Sequence, residues 1–262
     1  MNQTLARQIE NAFPKWIRYG MMPNPNTKYY KLGYRTLIVA VFPYSYPQKT
    51  NAFSKYASIP DYHRVVKEEL AAIFDPLGVE YLSFTDISPF PEKQLAQELG
   101  LGQIGKHNLL LTKDYGSFVF IGEVLLKEEL PEKKYQIPEL CTGCGACVSA
   151  CPTNSLEYGF CKGSCLSFLT QKKTLTPEEE AMLQKGDTLW GCDLCQLVCP
   201  VTKNAVLTGI EAFQKPVLEL TKEKLKTLTQ EEFQEIYHDF AFCYKGIEIL
   251  KRNARLLDEK EI

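Results

Sequence analysis

Nine of the ten cysteines lie close together in the sequence, between Cys141 and Cys199, and Cys243 stands apart. Cysteine thiolates bind metals and iron-sulfur clusters and also take part in redox reactions. Disulfide frameworks are typical of small secreted domains, whereas a dense group of cysteines in a chain without a secretory signal indicates a metal or redox site. This segment is therefore expected to carry the chemistry.

The first group of cysteines has the spacing of an iron-sulfur motif. Residues 141–152 read Cys-x2-Cys-x2-Cys-x3-Cys-Pro, the pattern of bacterial ferredoxins, in which three cysteines bind one cluster and the fourth binds a second cluster. Residues 192–200 read Cys-x2-Cys-x3-Cys-Pro, with the same ending and one cysteine fewer. Two [4Fe-4S] clusters need eight thiolates and the two motifs supply seven, so the eighth is either Cys161 or Cys165.

The crossing pattern of such motifs predicts two sets of four ligands. The first cluster takes Cys141, Cys144, Cys147 and Cys199. The second cluster takes Cys151, Cys192, Cys195 and one of the pair Cys161 and Cys165. Two zinc sites with four cysteines each are the alternative, but zinc sites do not predict the Cys-Pro endings. Cys243 and the cysteine left over are expected to be buried apolar thiols.

The first half of the chain alternates between strand and helix patterns. Residues 36–42 (TLIVAVF) form an apolar, β-branched run that is typical of a strand covered on both faces. The further predicted elements are a helix capped by Asp61, a strand at 79–84, a helix at 91–99 and a strand at 118–126. This alternation favours an α/β sandwich.

The predicted fold class is α+β with three segments. Residues 1–132 form the α/β domain, residues 133–205 form a two-cluster ferredoxin-like domain, and residues 206–262 form a short helical C-terminal segment. A helix that begins after Thr176 and ends near Gly186 separates the cysteine motifs. In the last segment, Thr229 and Glu232 have the spacing of a capping box.

Composition limits the class of protein. The 262 residues are 45% hydrophobic and 24% charged, with a formal net charge of -2, as in ordinary globular proteins. No apolar run approaches the roughly 18 residues that a membrane helix needs, so a cytoplasmic location without a membrane partner is expected. The near-neutral charge gives no overall electrostatic argument for binding nucleic acid.

Two further features near the strands could take part in a site. Residues 100–105 read Gly-x-Gly-x-x-Gly, but a helix precedes them, so a dinucleotide site is rejected and a close-approach loop leading to Lys106 and His107 is predicted. Asp86 follows a buried strand, at the kind of edge where α/β sites form. Spacing alone favours a turn or helix cap at Asp86. The three histidines are scattered and form no metal-binding pattern, so each is expected to be a surface residue or a satisfied core residue.

Several segments resemble the epoxyqueuosine reductase family, in the same order, from about residue 34 to Ala254. The matching segments are Asp61-Tyr62-His63, Asp86-Ile87-Ser88-Pro89, 100–111, 116–123, 141–153, 165–170 and 191–200. The resemblance implies an oxidoreductase with cobalamin in an α/β domain, two [4Fe-4S] clusters in a ferredoxin-like domain, and a fold similar to that of reductive dehalogenases. It also implies a role in queuosine biosynthesis and tRNA processing, by reduction of epoxyqueuosine in tRNA to queuosine.

The resemblance also assigns roles to individual residues. Cys165 opens the family motif that supplies the eighth ligand, and Asp86 falls on the proposed proton donor next to the cobalamin. That role requires the pKa of Asp86 to be raised toward neutrality by burial beside the corrin ring. The expected cobalamin contacts besides Asp86 are Lys106, Asn108, Ser117 and Ser167.

The sequence departs from the family pattern in three places. Gln103 stands where the family usually has tryptophan, and Val201 replaces an aromatic residue. Family members continue past the segment 252–254 into a helical-repeat tail that helps to hold tRNA, whereas this chain ends eight residues later. The chain is therefore expected to make fewer contacts with a tRNA partner than family members with the tail do.

Two other functions are left open by these departures. One is a ferredoxin-like electron-transfer protein without a corrinoid, and the other is a corrinoid reductase of a small-molecule substrate. In each of the enzyme interpretations, a low-potential donor of the ferredoxin or flavodoxin type is expected to supply the electrons.

Overall fold

The computed structural model describes residues 1–47, 52–214 and 218–259. The chain forms two compact units, each built from three segments. Unit 1 comprises Met1–Ser45, His63–Gly143 and Val201–Ile210. Unit 2 comprises Tyr46–Tyr62, Cys144–Pro200 and Glu211–Ile262.

This grouping differs from the three consecutive domains expected from the sequence. Residues 46–62 belong to unit 2 because Phe53 and Ala57 are buried in the same apolar core as the C-terminal helices. The segment after the last cysteine returns to unit 1, where Thr208 donates a hydrogen bond from its hydroxyl to the carbonyl oxygen of Pro43. Contacts between distant parts of the chain leave no local sequence pattern. Domains drawn in sequence order therefore cannot include them.

The centre of unit 1 is a four-stranded sheet in the order β1-β2-β6-β3. Its strands are Arg18–Pro23 (β1), Thr36–Pro43 (β2), Tyr81–Thr85 (β3) and Val119–Leu126 (β6). A separate two-stranded pairing joins Gln103–Ile104 (β4) and Leu110–Leu111 (β5). Every neighbouring pair in the four-stranded sheet is antiparallel, so the unit belongs to the α+β class that the sequence predicts.

Strand β2 is buried along its whole length, as its apolar run predicts. It pairs with a strand on each side, and Val39 lies opposite Gly20 on β1 and Glu123 on β6. One face of the sheet packs on Leu95 of a helix and on Leu99, which follows the end of that helix. The other face lies against Val66, since a Cβ atom at Gly122 would come within 2.9 Å of the Val66 side chain. The sheet is thus covered on both faces.

Among the described residues, unit 1 contains four α-helices before the cysteine segment, one of which begins at Tyr62, the last residue of a unit 2 segment. They are Gln3–Ala12 (α1), Thr27–Lys31 (α2), Tyr62–Phe74 (α3) and Glu92–Glu98 (α4). The predicted helices at α3 and α4 are confirmed: α3 begins directly after Asp61, and α4 ends two residues before Gly100, whose φ is +70°. The sequence analysis did not identify α1, α2 or β1.

Unit 2 contains short helices around the cysteines and longer helices near the C-terminus. In chain order they are Ala146–Ser149 (α5), Leu166–Leu169 (α6), Pro177–Leu183 (α7), Leu194–Leu197 (α8), Pro200–Lys203 (α9, which continues into unit 1), Glu211–Gln214 (α10), Lys222–Thr227 (α11), Gln230–Tyr237 (α12) and Ile247–Glu259 (α13). The N-caps predicted at Thr176 and Thr229 are present, each as a capping box. Across the described ranges, none of the helices has the length and apolar character that a bilayer crossing requires.

An apolar core holds unit 2 together, with Phe53, Trp190, Phe233, Phe242 and Leu250 all buried within it. The rings of Phe53 and Phe242 lie 5.3 Å apart, and those of Phe233 and Phe242 lie 5.9 Å apart. Aromatic pairs at such distances add stability beyond the area that they bury. The core thus joins the segment 52–57 to the last cysteine motif and the C-terminal helices.

Asn253 on α13 links two loops of unit 2 and is fully buried. Its side-chain Nδ2 donates hydrogen bonds to the carbonyl oxygens of Thr170 and Leu189, each at 2.8 Å. We expect Asn253→Leu to lower the free energy of unfolding by about 2 to 3 kcal/mol, because two buried carbonyl groups lose their donor. Urea unfolding under anaerobic conditions measures the change. Arg255→Ala, an exposed change on the same helix, is the control and should have little effect.

Candidate functional site

The cysteine segment of unit 2 is made of very short helices and tight turns. Cys147 lies on α5, Cys195 lies on α8, and Cys165 immediately precedes α6. The turn residues Gly145 and Gly191 have φ values of +78° and +71°, a region that residues with a Cβ atom rarely adopt. These glycines allow the sharp turns that precede Cys147 and Cys192.

Within unit 2, the thiol of Cys192 interacts electrostatically with those of Cys165 and Cys151, and the thiol of Cys195 interacts with those of Cys192, Cys165 and Cys147. Burial raises the pKa of Cys192 to about 12, and the nearby Cys165 and Cys151 contribute to the rise. Burial and neighbouring thiols also raise the pKa of Cys195. Buried thiols that repel each other when ionised need a bound cation to become thiolates. This donor set fits an iron-sulfur cluster, whose iron supplies that positive charge.

All ten cysteines lie in the described ranges and none forms a disulfide. Cys243 is buried, as predicted, and burial raises its pKa. The prediction that Cys161 would be buried if it was not a ligand is wrong, because Cys161 is exposed. The Ser164 hydroxyl and the backbone N–H groups of Gly163 and Ser164 lower its pKa. Within those same ranges, no three His, Cys, Asp or Glu side chains form a group that could hold a single metal ion.

Asp193 places a buried carboxyl group inside the second cysteine motif. Its Oδ2 accepts a hydrogen bond from the backbone N–H of Lys55 at 2.6 Å, and its Oδ1 accepts one from Nε2 of Gln196 at 2.9 Å. Lys55 in turn donates from Nζ to the carbonyl oxygen of Tyr46 at 2.6 Å. Burial raises the pKa of Asp193 to about 6 despite these donors. The pairing fixes the turn that carries Cys192.

Gln103 in unit 1 holds the backbone at the first cysteine. Its Oε1 accepts hydrogen bonds from the backbone N–H groups of Leu140 and Cys141, each at 2.7 Å. Tryptophan, which the family usually has at this position, offers a donor only and could not accept these bonds. Gln103 therefore makes two hydrogen bonds to the backbone that the usual tryptophan could not make.

Asp86 lies directly after β3, at the sheet edge that the sequence indicates, with a φ of +62°. Its Oδ2 is 3.4 Å from Nε2 of His63 on α3, and the side chains are 60% and 30% exposed, respectively. A positive φ is uncommon for residues other than glycine, and such conformations concentrate at functional sites. The sequence predicts a surface residue or a satisfied core residue at His63 and gives no sign of this pairing.

Two carboxyl groups outside the predicted site, those of Glu92 and Glu123, lie near Asp86. Glu123 on β6 is fully buried, and Glu92 is the first residue of α4. Burial is the main cause that raises the pKa of both groups. The charge of Asp86 also raises the pKa of Glu92, and the charge of Glu92 raises that of Glu123. A single charged residue within a buried strand is the sequence signal that could have indicated Glu123.

The four other predicted cobalamin contacts have different surroundings. Lys106 is exposed, and Asn108 has a φ of +64° while its carbonyl oxygen accepts a hydrogen bond from Lys93 at 2.7 Å. Ser117 is buried in unit 1 with its hydroxyl 3.2 Å from that of Thr202. Ser167 lies on α6 in unit 2, where its carbonyl oxygen accepts two side-chain hydrogen bonds. Lys106 and Asn108 thus share one loop, and Ser117 has a packing role.

His107, in the loop with Lys106 and Asn108, is buried but incompletely hydrogen bonded. Its Nδ1 accepts the backbone N–H of Leu109 at 3.2 Å, so the neutral ring carries its proton on Nε2. Burial lowers the pKa of His107 to about 4, which keeps the ring neutral. No group in the described part of the chain accepts a hydrogen bond from Nε2. The expectation of a surface or satisfied core histidine is therefore wrong here.

The raised pKa of Glu123 makes the stability of the protein dependent on pH. The native state holds a proton that the unfolded chain releases above the ordinary glutamate pKa of 4.5, so stability falls as pH rises from there toward the raised value. We expect Glu123→Gln to raise the thermal unfolding midpoint at about pH 8 by about 2 to 4 °C, with no gain below about pH 4. Thermal scans across pH measure this. Glu98→Gln, an exposed change on α4, is the control, and equal pH profiles for Glu123→Gln and the wild type would contradict the account.

Known proteins resemble this chain in both its cysteine segment and its overall fold. Residues 140–202, which include all eight predicted cluster cysteines, match the family model described as a 4Fe-4S double cluster binding domain. The epoxyqueuosine reductase of Aliivibrio fischeri is 40% identical over 170 residues, which cover 62% of this chain and 45% of that protein. The epoxyqueuosine reductase of Bacillus cereus is 32% identical over 210 residues, covering 75% of this chain and 53% of that protein. The chain thus spans about half the length of these relatives.

The fold is also similar to a solved structure of epoxyqueuosine reductase with an epoxyqueuosine-modified tRNA-Tyr stem loop. The TM-score is 0.81 with 23% sequence identity, and the match covers 97% of this chain and 79% of that chain. At this identity the structural likeness shows the fold, and the sequence matches add the cysteine motifs and the surrounding segments. Together they show that the chain belongs to the epoxyqueuosine reductase family and carries its 4Fe-4S double cluster domain.

Proposed function

We propose that the protein is an iron-sulfur, cobalamin-dependent oxidoreductase that reduces epoxyqueuosine in tRNA to queuosine. The observation that carries this proposal is the position of Asp86, held in a left-handed conformation with its carboxyl group exposed and beside His63. It occurs in a chain that also contains a double cluster domain. Family membership and the solved relative with a modified tRNA stem loop support the choice of substrate.

Removal of the epoxide oxygen as water consumes two electrons and two protons. The bound clusters and cobalamin would supply the electrons, because iron-sulfur centres reach the low potentials that reduced cobalt requires. The protein itself must then hold a proton near the departing oxygen and position the substrate. An external donor of the ferredoxin or flavodoxin type would supply new electrons to the clusters.

The cluster ligands follow from the crossing of the two cysteine motifs. One cluster would be held by Cys141, Cys144, Cys147 and Cys199. The other would be held by Cys151, Cys165, Cys192 and Cys195. The electrostatic interaction of Cys165 with Cys192 and Cys195 supports Cys165 as the eighth ligand.

The cobalamin proposal is supported by the loop that contains Lys106, His107 and Asn108. The Nε2 donor of His107 is buried without an acceptor in the described ranges, and buried donors normally have partners. Such a donor fits a large ligand that carries amide oxygens at its edge. Lys106 is exposed in the same loop, whereas Ser117 would have to exchange its contact with Thr202 to bind a ligand.

Asp86 is proposed to protonate the departing oxygen. The chain leaves the Asp86 side chain 60% exposed, so the burial that its role requires would have to come from bound cofactor and substrate. His63 lies 3.4 Å away and can orient the carboxyl group or return a proton to it after each turnover. In this role Asp86 needs a fixed position, which its loop provides.

We expect Cys165→Ser to lower the content of iron and acid-labile sulfide by roughly one half, because one of the two clusters loses a ligand. Cys161→Ser is the matched control and should retain both. The measurement is iron and sulfide analysis of protein purified without oxygen, together with electron paramagnetic resonance of the reduced clusters. Equal loss in the two variants, or loss only with Cys161→Ser, would show that the ligand assignment is wrong.

We expect Asp86→Asn to reduce turnover of epoxyqueuosine-containing tRNA by about 100-fold or more, since the amide cannot supply the proton. The assay uses anaerobic protein reconstituted with clusters and cobalamin, a chemical low-potential reductant, and chromatography of the digested nucleosides. Iron content and corrin absorbance must be unchanged in the variant. If the wild type shows no corrin absorbance after reconstitution, the protein is instead an electron carrier, and the proposal is overturned.

A further inference from the structure

An exposed apolar patch lies on unit 1, on the segment that follows the last cysteine motif. Val206 and Leu207 are 56% and 55% exposed, and Trp16 is 40% exposed. Trp16 lies against the same segment, since a Cβ atom at Gly209 would come within 2.6 Å of its ring. Exposed apolar side chains that are grouped together and bordered by polar residues are typical of protein-binding sites.

Hydrogen bonds to the rest of unit 1 hold the backbone that carries this patch. The backbone N–H of Val206 donates to the carbonyl oxygen of Asp114, and that of Thr208 donates to the carbonyl oxygen of Ser45, each at 2.8 Å. The side chain of Thr208 is buried. Because these bonds lie on either side of Leu207, a fixed backbone presents the apolar side chains to solvent. A surface that is already ordered loses little conformational entropy when a partner binds.

Three exposed lysines border the apolar residues. Lys15 directly precedes the tryptophan, and Lys203 lies three residues before Val206. Lys113 directly precedes Asp114, whose carbonyl oxygen accepts the Val206 N–H. In the described part of the chain, no carboxylate forms an ion pair with any of these lysines. The exposed Asp114 offsets one of the three charges, so an apolar centre has a positive border.

The patch begins close to a proposed cluster ligand along the chain. Helix α9 starts at Pro200, directly after Cys199, and ends at Lys203. Four residues span at most about 14 Å, so the Cα atoms of Cys199 and Lys203 are no farther apart than that. A protein bound at the patch would therefore lie beside the backbone that leads to one cluster, which suits a partner that delivers electrons.

We propose that this lysine-rimmed patch is the docking surface for a small acidic electron-transfer protein. Its residues are Trp16, Val206 and Leu207 at the centre and Lys15, Lys113 and Lys203 at the border. In each encounter one electron passes from the reduced carrier to an oxidised [4Fe-4S] cluster, so the carrier loses one electron and the cluster gains it, and no proton or bond is transferred. Two encounters supply the two electrons of one turnover, and that use of the electrons rests on the proposed function.

The composition of the patch favours an acidic protein over nucleic acid. Val206 and Leu207 are aliphatic, so they neither stack on bases as aromatic side chains do nor bind phosphates. Gly209 covers part of the Trp16 ring and leaves less of it for stacking. Positive charges around a site steer a partner that carries carboxylates toward it. Electron-transfer complexes also have small interfaces, which an apolar centre of three residues matches.

Electron exchange between the cluster-loaded protein and an acidic [2Fe-2S] ferredoxin tests the lysine border. The experiment uses stopped-flow absorbance, without tRNA, in the direction that the two reduction potentials favour. We expect Lys113→Glu combined with Lys203→Glu to lower the second-order rate constant by about tenfold or more at low salt, since repulsion replaces attraction. At about 1 M salt the difference from the wild type should nearly disappear, because the Debye length is then about 3 Å.

The matched control for this pair is Lys31→Glu combined with Lys185→Glu. It makes the same change in net charge at two exposed lysines outside the patch, and it should lower the rate constant much less. Iron content and the extent of cluster reduction by dithionite should equal those of the wild type in both double variants. An equal loss of rate in the two double variants, or no loss in Lys113→Glu with Lys203→Glu, would overturn the proposal.

Leu207→Ser tests the apolar centre in the same assay. We expect a rate constant about fivefold lower at both salt concentrations, because the lost contact does not depend on charge. Leu32→Ser is the matched control, since Leu32 is 59% exposed on unit 1 and lies outside the patch. A loss of rate in Leu207→Ser that disappears at high salt, or an equal loss in Leu32→Ser, would contradict the role of the apolar centre.

Two further measurements separate this inference from its alternatives. If Lys113→Glu with Lys203→Glu weakens tRNA binding in a gel shift and leaves ferredoxin exchange unchanged, the patch binds nucleic acid and the proposal is overturned. Exchange as expected, with no turnover of epoxyqueuosine-containing tRNA by the wild type and a chemical reductant, would support the docking surface and overturn the proposed function. Turnover under those conditions, with unchanged exchange in the patch variants, would overturn the docking surface alone.

Discussion

Strands β2 and β6 are covered on both faces, so a polar group on either strand must find its partner inside the protein. This constraint governs the candidate site of unit 1. Glu123 satisfies it by remaining protonated, since burial raises its pKa and neither of its carboxyl oxygens has a hydrogen bond in the described part of the chain. The carboxyl group of Glu92, at the start of α4, interacts electrostatically with Glu123 and also has a raised pKa.

The same constraint acts in unit 2, where buried polar side chains hold the loops that carry the cysteines. Asp193 takes its donors from Lys55 and Gln196 and thereby fixes the turn of the last cysteine motif. Asn253 joins the loops at Thr170 and Leu189 from the C-terminal helix. Cluster ligands must be held in place by surrounding groups, and these hydrogen bonds supply that support for the segment before and after Cys192.

Unit 1 holds an exposed acid, and unit 2 holds a set of grouped thiols. In the proposed reaction the acid beside His63 would move a proton, and the grouped thiols would bind the iron-sulfur clusters. Gln103 differs from the residue that the family usually has at this position. Its side-chain carbonyl accepts hydrogen bonds from two backbone N–H groups at the first cysteine and so holds that part of the chain. The proposed reductase needs proton and electron chemistry together in one chain.

Features that depend on neighbours along the chain could be predicted from the residues alone. Cysteine spacing predicted the double cluster domain, the apolar run of β2 predicted a covered strand, and Thr229 with Glu232 predicted a helix start. These patterns extend over a few residues, so local geometry is sufficient to read them. The position of Asp86 at a strand end was identified for the same reason, although its conformation was not.

Contacts between residues far apart in the chain follow only from the fold. His63 and Asp86 are 23 positions apart, and Glu123 lies under α4 because this helix packs on the face of the sheet that this strand register presents. The antiparallel strand order and the division into two units have the same origin. The exposure of Cys161 and the proximity of Cys165 to Cys192 likewise depend on how loops pack. Packing brings such groups together through contacts far apart in the chain, and these leave no local pattern in the sequence.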